Sequence, residues 1–181
     1  MLRLCSSSQT RSLLLEKAGI HFIQESVAFD EEGIVASSPK NFVYQATLGK
    51  YHANKKAFGV DTHPLLVADT VVTSQGHILR KAKCVDDARN ILMTQSDNVT
   101  SIITCMIYET PHKKLIDISQ TDYIFSAFNQ DDLDTYLQSG KWRGKAGACM
   151  VEGFCKSYIK EVRGFESTAM GLSVEILKTF L

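Results

Sequence analysis

The chain has 181 residues, and its 20 Lys and Arg balance 20 Asp and Glu to a formal net charge of zero. This balance argues against a polyanion such as DNA or RNA as the main partner, so any anion site must be local. The length suits one domain with a substantial core, covering residues 1–181. No apolar run approaches the roughly 18 residues of a membrane span, and the N-terminus lacks the apolar region of a signal peptide. We therefore expect a soluble, cytoplasmic, single-domain protein.

The cysteines and histidines indicate neither a disulfide framework nor a zinc site. Five cysteines are an odd number, they show no CxxC spacing, and most lie in apolar segments. The five histidines have no HxxxH or HExxH spacing that would place two imidazoles on one helix face. We expect all the cysteines to be reduced core residues; they are Cys5, Cys84, Cys105, Cys149 and Cys155.

Strands and helices alternate in the first part of the chain. Gly19 is a C-terminal stop signal for the first helix, and Ser38 followed by Pro39 is the N-terminal signature of the second. An acidic turn at 30–33 separates the second strand from that helix. The predicted elements are a strand at 2–6, a helix at 9–17, a strand at 22–27 and a helix from 39 to about 58.

One carboxylate, Asp69, interrupts the most apolar run of the chain, at 64–72. The pattern predicts a buried strand that carries a single charge at its rim. Burying a carboxylate without partners costs several kcal/mol, so Asp69 should be paired, metal-bound or at an open edge. A turn or capping aspartate is the alternative.

The second part of the chain predicts a mixed sheet flanked by helices. A Gln75-Gly76 turn follows the Asp69 strand, and two long segments rich in Ile, Thr, Tyr and Phe form an antiparallel pair. Asn129 is an N-cap. The predicted elements are a strand at 78–81, a helix at 86–94, strands at 99–108 and 115–125, a helix at 130–139, a strand at 157–162 and a helix at about 168–180.

The first strand-to-helix turn carries hydroxyl groups and an arginine. The sequence contains neither GxGxxG after the first strand nor a P-loop, so those two kinds of nucleotide site are not supported. Backbone N–H groups at a helix start, with Ser8 and the forked Arg11 beside them, are a possible phosphate site. A serine cap beside a solvated arginine is the alternative.

Two lysines and three acids complete the candidate set. A nucleoside triphosphate carries about four negative charges, and phosphoryl transfer relies on cations that absorb this charge. Lys50 and Lys81 could join Arg11 in that role. Oxygen ligands for magnesium could come from acids at the ends of elements, namely Glu31, Asp69 and Glu152.

These segments together resemble the Maf proteins, a family of nucleoside triphosphate pyrophosphatases with an ITPase-like fold, over nearly the whole chain. The central A-D-T-V-V is the most specific match. The matching segments are L-C-S-S-S-Q-T-R at 4–11, D-E at 30–31, A-T-L-G-K-Y at 46–51, A-D-T-V-V at 68–72, G-H-I-L-R-K-A at 76–82, K-A-G-A-C-M-V-E-G at 145–153 and A-M-G-L-S at 169–173.

The resemblance implies an α/β fold of the Maf type and hydrolysis of the bond between the α- and β-phosphates, which releases a nucleoside monophosphate and pyrophosphate. It also implies a divalent metal, Mg²⁺ or Mn²⁺, and a possible homodimer. Under it Asp69, Lys81 and Glu31 are catalytic, with Asp69 as general base. Ser8, Arg11, Lys50 and Lys81 bind phosphate, and Glu31, Asp69 and Glu152 hold the metal.

Three positions that separate substrate classes in the family are Thr10, Thr70 and Glu152 here. Thr70 matches members that resemble dTTP and UTP hydrolases, whereas Glu152 matches members that resemble 7-methyl-GTP hydrolases. A carboxylate accepts hydrogen bonds from the guanine N–H edge, and a glutamine both donates to and accepts from uracil or thymine. Thr10 matches neither group.

Departures from the family pattern keep two further hypotheses open. Gln9 and Ala82 replace prolines, while Arg80 and Asp97 replace glycines. The first alternative is a catalytically weak, nucleotide-binding regulator of cell division, because the family is also associated with septum formation. The second is an ITP/XTP pyrophosphatase of the neighbouring family.

Overall fold

The computed structural model describes residues 1–149, 151 and 153–181. Within them, strands and helices follow each other as the sequence predicts for an α/β fold. In chain order they are β1 (Leu2–Leu4), α1 (Gln9–Lys17), β2 (Phe22–Gln24), α2 (Pro39–Phe58), β3 (Leu65–Ser74), β4 (His77–Ile78), α3 (Val85–Gln95), β5 (Val99–Glu109), β6 (Lys114–Phe125), α4 (Gln130–Gln138), a 3₁₀ helix (Phe154–Tyr158), β7 (Ile159–Arg163), α5 (Glu166–Ala169) and α6 (Val174–Lys178).

The strands form one sheet of seven strands in the described part of the chain. Its order is β2-β1-β3-β5-β6-β7, with β4 paired to β3. Strand β1 runs parallel to both β2 and β3, whereas β4 is antiparallel to β3 and β7 is antiparallel to β6. The predicted mixed sheet flanked by helices is therefore confirmed.

The chain divides into two compact units. The first unit comprises residues 1–70, 103–120 and 165–181, and the second comprises 71–102 and 121–164. Strands β3, β5 and β6 contribute residues to both. That the whole chain acts as one domain stays a prediction.

Strand β3 is buried on both faces in the first unit. Leu66 and Ala68 pack in one apolar cluster with residues of α1 and α6, while Leu65 and Val67 pack in another with Tyr51 of α2. Successive side chains of a strand point to opposite faces, so a strand covered on both sides must be apolar throughout. The apolar run before Asp69 is explained by this double burial.

Helices α1 and α2 begin where the sequence predicts. The Ser8 hydroxyl accepts a hydrogen bond from the Arg11 backbone N–H at 3.4 Å, and Ser38 does the same for Asn41 at 3.2 Å, with Pro39 as the first residue of α2. Each cap satisfies an N–H group that has no partner inside its helix.

An aromatic cluster forms part of the second unit. Phe128 meets Phe125, Phe154 and Tyr158 edge to face, and Tyr136 stacks on Phe154. Phe125 and Phe128 are buried, so they belong to the core. Such pairs stabilise a fold beyond their buried area.

Two of the predicted elements are wrong. The strand expected at 78–81 is only the two-residue β4, and Lys81 lies beyond it, where it bridges to Ala146. The single helix expected at 168–180 is two short helices, α5 and α6. Gly171 between them has a φ of +104°, a conformation that a continuing helix cannot contain.

The cysteine prediction holds only in part. Cys5 and Cys105 are buried free thiols, and burial raises the pKa of each to about 11. Cys84 is exposed, and Cys149 and Cys155 form a disulfide across a separation of six residues. Their Cα atoms are 6.4 Å apart, within the range that a disulfide spans, and nothing in the residue spacing indicated this proximity. A helix that crosses a membrane must be both long and apolar, and none of the helices of the described residues meets both requirements.

Replacing Leu66 with alanine should lower the free energy of unfolding by about 2–5 kcal/mol, because it opens a cavity in a cluster where Leu66 has no solvent exposure. Leu13→Ala is the matched control, since Leu13 is 50% exposed and its loss should cost no more than about 0.5 kcal/mol. Urea denaturation measures both. Equal losses would contradict the assignment of the core.

Candidate active site

Lys50 lies between two carboxylates in the first unit. Its ammonium contacts Asp69 Oδ1 at 2.8 Å and also contacts Glu31 Oε1. Lys50 comes from the middle of α2, Asp69 from β3, and Glu31 from the segment that joins β2 to α2. The Asp69 side chain is only 13% exposed, so its pairing with a cation meets the expectation that a carboxylate at this position needs a partner.

Two converging carboxylates are the kind of donor set that a hard divalent cation prefers. Glu31 and Asp69 lie within reach of one cation, since both contact the Lys50 ammonium. The third predicted ligand, Glu152, lies outside the described residues. Among the described residues, no group of three His, Cys, Asp or Glu side chains is placed to hold a metal. The two acids thus fit part of a metal site.

Phe29 fixes the segment that carries Glu31 against helix α2. Its ring lies directly over Gly49, the residue before Lys50, so close that any side-chain carbon at position 49 would overlap it. Glycine in a helix interior costs about 1 kcal/mol relative to alanine. A glycine is needed at position 49 because any side chain there would occupy the space of the Phe29 ring.

Asn54 joins the same two segments through hydrogen bonds. Its Oδ1 accepts from the Val27 backbone N–H at 2.9 Å, and its Nδ2 donates to the Lys50 carbonyl at 2.7 Å. The side chain is buried, so both bonds are protected from water. Neither Asn54 nor Phe29 was predicted from the sequence as a site residue. Asn54 could have been found from its position, because a polar residue four positions after Lys50 lies on the same face of the helix.

Arg11 is held by three oxygens. Its Nε donates to the Gly171 carbonyl at 2.7 Å, Nη1 to Ser6 Oγ at 2.9 Å and Nη2 to Thr70 Oγ1 at 3.1 Å. Burial lowers the pKa of Arg11 from its ordinary value, and the charges of Asp69 and Glu31 oppose that shift. Arg11 is therefore a fixed cation and not the solvated side chain of the alternative reading.

Arg11 and Lys50 line one cavity of about 310 Å³. The turn that leads into α1 forms one wall, so its three serines line the same space as the two cations. This wall includes the predicted phosphate ligand Ser8. The cavity is lined by Cys5, Ser6, Ser7, Ser8, Arg11, Ser26, Val27, Ala28, Phe29, Lys50, Asn54 and Ala68.

The remaining predicted residues lie in different places. Thr70 is bonded to Arg11, and Thr10 is exposed on the first turn of α1. Lys81 belongs to the second unit, where it lines a cavity of about 550 Å³ that also contains Arg80 and Lys83. The structure thus brings together Glu31, Lys50 and Asp69, and it places Ser8 and Arg11 on the cavity that Lys50 lines.

The chain is similar to known proteins over its whole length. The family model described as Maf-like protein matches residues 1–181. The chain is 55% identical to a nucleoside triphosphate pyrophosphatase of a Nitratiruptor species over 179 residues, which cover 98% of this chain and 96% of that protein. It is 36% identical to a protein of the same name from Helicobacter pylori, covering 94% of this chain and 89% of the relative.

A third relative of that name, from Campylobacter jejuni subsp. jejuni, is 35% identical over the full length of both chains. The fold and the cluster of acids and cations define an α/β protein with a cavity that two cations line. The chain belongs to the Maf family, as its sequence motifs predict.

Gly49→Ala should fail to give the stabilisation of about 1 kcal/mol that is usual for this change inside a helix, because the new methyl group expels the Phe29 ring. In a Phe29→Ala background the same change should stabilise the protein. Urea denaturation of the four proteins measures the coupling. A stabilisation of equal size in both backgrounds would show that the ring does not pack on Gly49.

Proposed function

We propose that the protein is a nucleoside triphosphate pyrophosphatase, which hydrolyses the α–β phosphoanhydride to a nucleoside monophosphate and pyrophosphate. The observation that carries this proposal is the convergence of Glu31 and Asp69 on Lys50, at a cavity also lined by Arg11 and Ser8. The relatives of the chain support it, since they carry the name of this class of hydrolase.

Asp69 is the general base of the proposed reaction. Its carboxylate takes a proton from the attacking water, whose oxygen forms the new bond to the α-phosphorus while the bond to the bridging oxygen breaks. The electron pair of that bond leaves with pyrophosphate. Before the nucleotide binds, Lys50 holds the carboxylate in place through its 2.8 Å contact.

Cations and N–H groups bind the phosphates in this proposal. Arg11 and Lys50 balance the negative charge of the triphosphate, and the Ser8 hydroxyl and the start of α1 add hydrogen bonds to the phosphate oxygens. Lys81 is proposed as a further phosphate ligand from the family resemblance alone. Charge stabilisation of this kind is the main catalytic device in phosphoryl transfer.

A divalent metal ion, Mg²⁺ or Mn²⁺, is part of the proposal. Glu31 and Asp69 would hold it, and it would supply positive charge to the phosphates and make a bound water more acidic. Glu152 is proposed as a third ligand from the family resemblance alone. With the metal bound, Lys50 is free to turn from the carboxylates toward the phosphates. The location in the cytoplasm and a homodimer are proposed from the family alone.

The proposed substrates are dTTP and UTP or 7-methyl-GTP. Thr70 supports the pyrimidine nucleotides and Glu152 supports the methylated guanine, because a carboxylate complements the guanine N–H edge. Thr10 is exposed and carries neither the charge nor the aromatic plane that would recognise a base.

Asp69→Asn should reduce pyrophosphate release about 10²- to 10⁴-fold, because the amide cannot accept the proton. The assay uses purified protein with Mg²⁺ or Mn²⁺ on dTTP, UTP, CTP, 7-methyl-GTP, ITP and GTP. Asp61→Asn, at an exposed position, is the matched control and should keep full activity. Near-full turnover of a folded Asp69→Asn protein would contradict the assigned base. Nucleotide binding without turnover by the unmodified protein would support the regulator instead.

Glu152→Gln should shift preference from 7-methyl-GTP toward UTP, with the ratio of their kcat/KM values changing about tenfold, since the amide complements uracil and no longer the guanine edge. Steady-state kinetics on both nucleotides measure the ratio. Glu16→Gln, an exposed position on α1, controls for the charge change. An unchanged ratio for Glu152→Gln would remove this residue from base selection.

A further inference from the structure

A line of hydrogen bonds runs from Arg11 through two threonines to a backbone carbonyl, all within the first unit. Arg11 Nη2 donates to Thr70 Oγ1 at 3.1 Å, Thr70 Oγ1 and Thr104 Oγ1 are 2.9 Å apart, and Thr104 Oγ1 donates to the Thr168 carbonyl at 2.7 Å. Thr104 and Thr168 have no solvent exposure. Water therefore does not compete for the inner bonds of this line.

The chemistry of the groups fixes the direction of each bond. A hydroxyl has one proton, and a carbonyl only accepts, so the Thr104 proton points to Thr168. The bond between the two threonines must then use the Thr70 proton. With that proton directed away, Thr70 presents only its lone pairs to Arg11. Thr104 thus makes Thr70 an acceptor for the guanidinium.

The turn after α5 holds Arg11 at a second point. Gly171 donates its backbone N–H to the Thr168 carbonyl at 3.0 Å and offers its own carbonyl to Arg11 Nε at 2.7 Å. A side-chain carbon at position 171 would lie 3.3 Å from Thr70 Oγ1 and 3.4 Å from Arg11 Nε. The Thr104 bond to Thr168 therefore fixes the same turn that supplies the acceptor for Nε.

We propose that Thr104 is a positioning residue that acts through Thr70 and the 168–171 turn to orient the Arg11 guanidinium toward phosphate oxygens. A guanidinium has five N–H donors, and the three bonds of Arg11 within the described residues leave two for a ligand. The inference rests on the proposed function, because it requires that Arg11 bind phosphate.

Thr104→Val tests the proposal, because valine has nearly the same shape and lacks the hydroxyl. We expect KM for the nucleotide and the inhibition constant of inorganic pyrophosphate each to rise about tenfold, with a smaller change in kcat, since a misplaced cation weakens phosphate binding in both the substrate and the product. Thr104→Ser keeps the hydroxyl and should restore both constants. Unchanged constants in Thr104→Val would overturn the proposal.

Thr100→Val is the matched control on the same strand. Thr100 is also buried and lies four residues before Thr104, but its hydroxyl is directed to Gln95 Oε1 at 3.4 Å. This variant should leave KM and the pyrophosphate inhibition constant unchanged. Thermal unfolding of all the variants tests whether each is folded. Equal effects of Thr100→Val and Thr104→Val would indicate general loosening of β5 and would overturn the proposal.

A double-mutant cycle tests whether Thr104 acts through Thr70. In a Thr70→Val background one of the two links is already cut, so Thr104→Val should raise KM by less than it does in the unmodified protein; fully additive effects would overturn the proposal. Calorimetric titration with inorganic pyrophosphate separates this inference from the proposed function. If the unmodified protein binds pyrophosphate but hydrolyses no nucleotide, the proposed function fails, and weaker pyrophosphate binding by Thr104→Val still supports the positioning role. No pyrophosphate binding by the unmodified protein would overturn it.

Discussion

The contact of one ammonium group with two carboxylates is the interaction on which the candidate site depends. Asp69 and Glu31 would repel each other if they were brought together alone, and Lys50 between them removes that cost. The three side chains come from separate segments, so the fold must hold those segments in place. It does so by packing Tyr51, the neighbour of Lys50, with Leu65, Val67 and Ile107 of the sheet. The charged cluster is thus fixed by the apolar core directly beneath it.

The two sides of the cavity are held by different physical means. On the acidic side, Phe29 packs on Gly49, and Asn54 joins the backbone of α2 to the segment that leads to Glu31. On the other side, neutral oxygen acceptors hold the Arg11 guanidinium in place. The hydrogen bond between Thr70 and Thr104 orients one of these acceptors, the Thr70 hydroxyl. A cation without a carboxylate partner keeps more of its attraction for a ligand anion. Among the described residues Lys50 is paired with carboxylates and Arg11 is not, which suits the two cations to different roles toward a phosphate.

Local patterns predicted much of the fold and several of the side chains that meet at the candidate site. Helix α1 begins and ends where its cap residues predict. Asp69 has the cationic partner that its burial requires. Asp97, which replaces a family glycine, has a positive φ of 55°, the conformation that glycine favours in a turn. The rest depends on contacts that span the chain. Arg11 meets a carbonyl 160 residues away, and no local pattern indicates that pairing. The break of the last helix at Gly171 was also not predicted from the sequence. This break places the Gly171 carbonyl where Arg11 binds it. The Cys149–Cys155 disulfide spans only six residues, and no motif in the sequence indicates it.

Hydrolysis in water enriched in ¹⁸O tests the central claim most directly, because it identifies the phosphorus atom that the water attacks. We expect one ¹⁸O atom in the nucleoside monophosphate and none in pyrophosphate, since the proposed attack is on the α-phosphorus and the bridging oxygen leaves with pyrophosphate. Mass spectrometry of the separated products measures both. Label in the pyrophosphate, or release of labelled orthophosphate, would contradict the account, because either result places the attack on a different phosphorus.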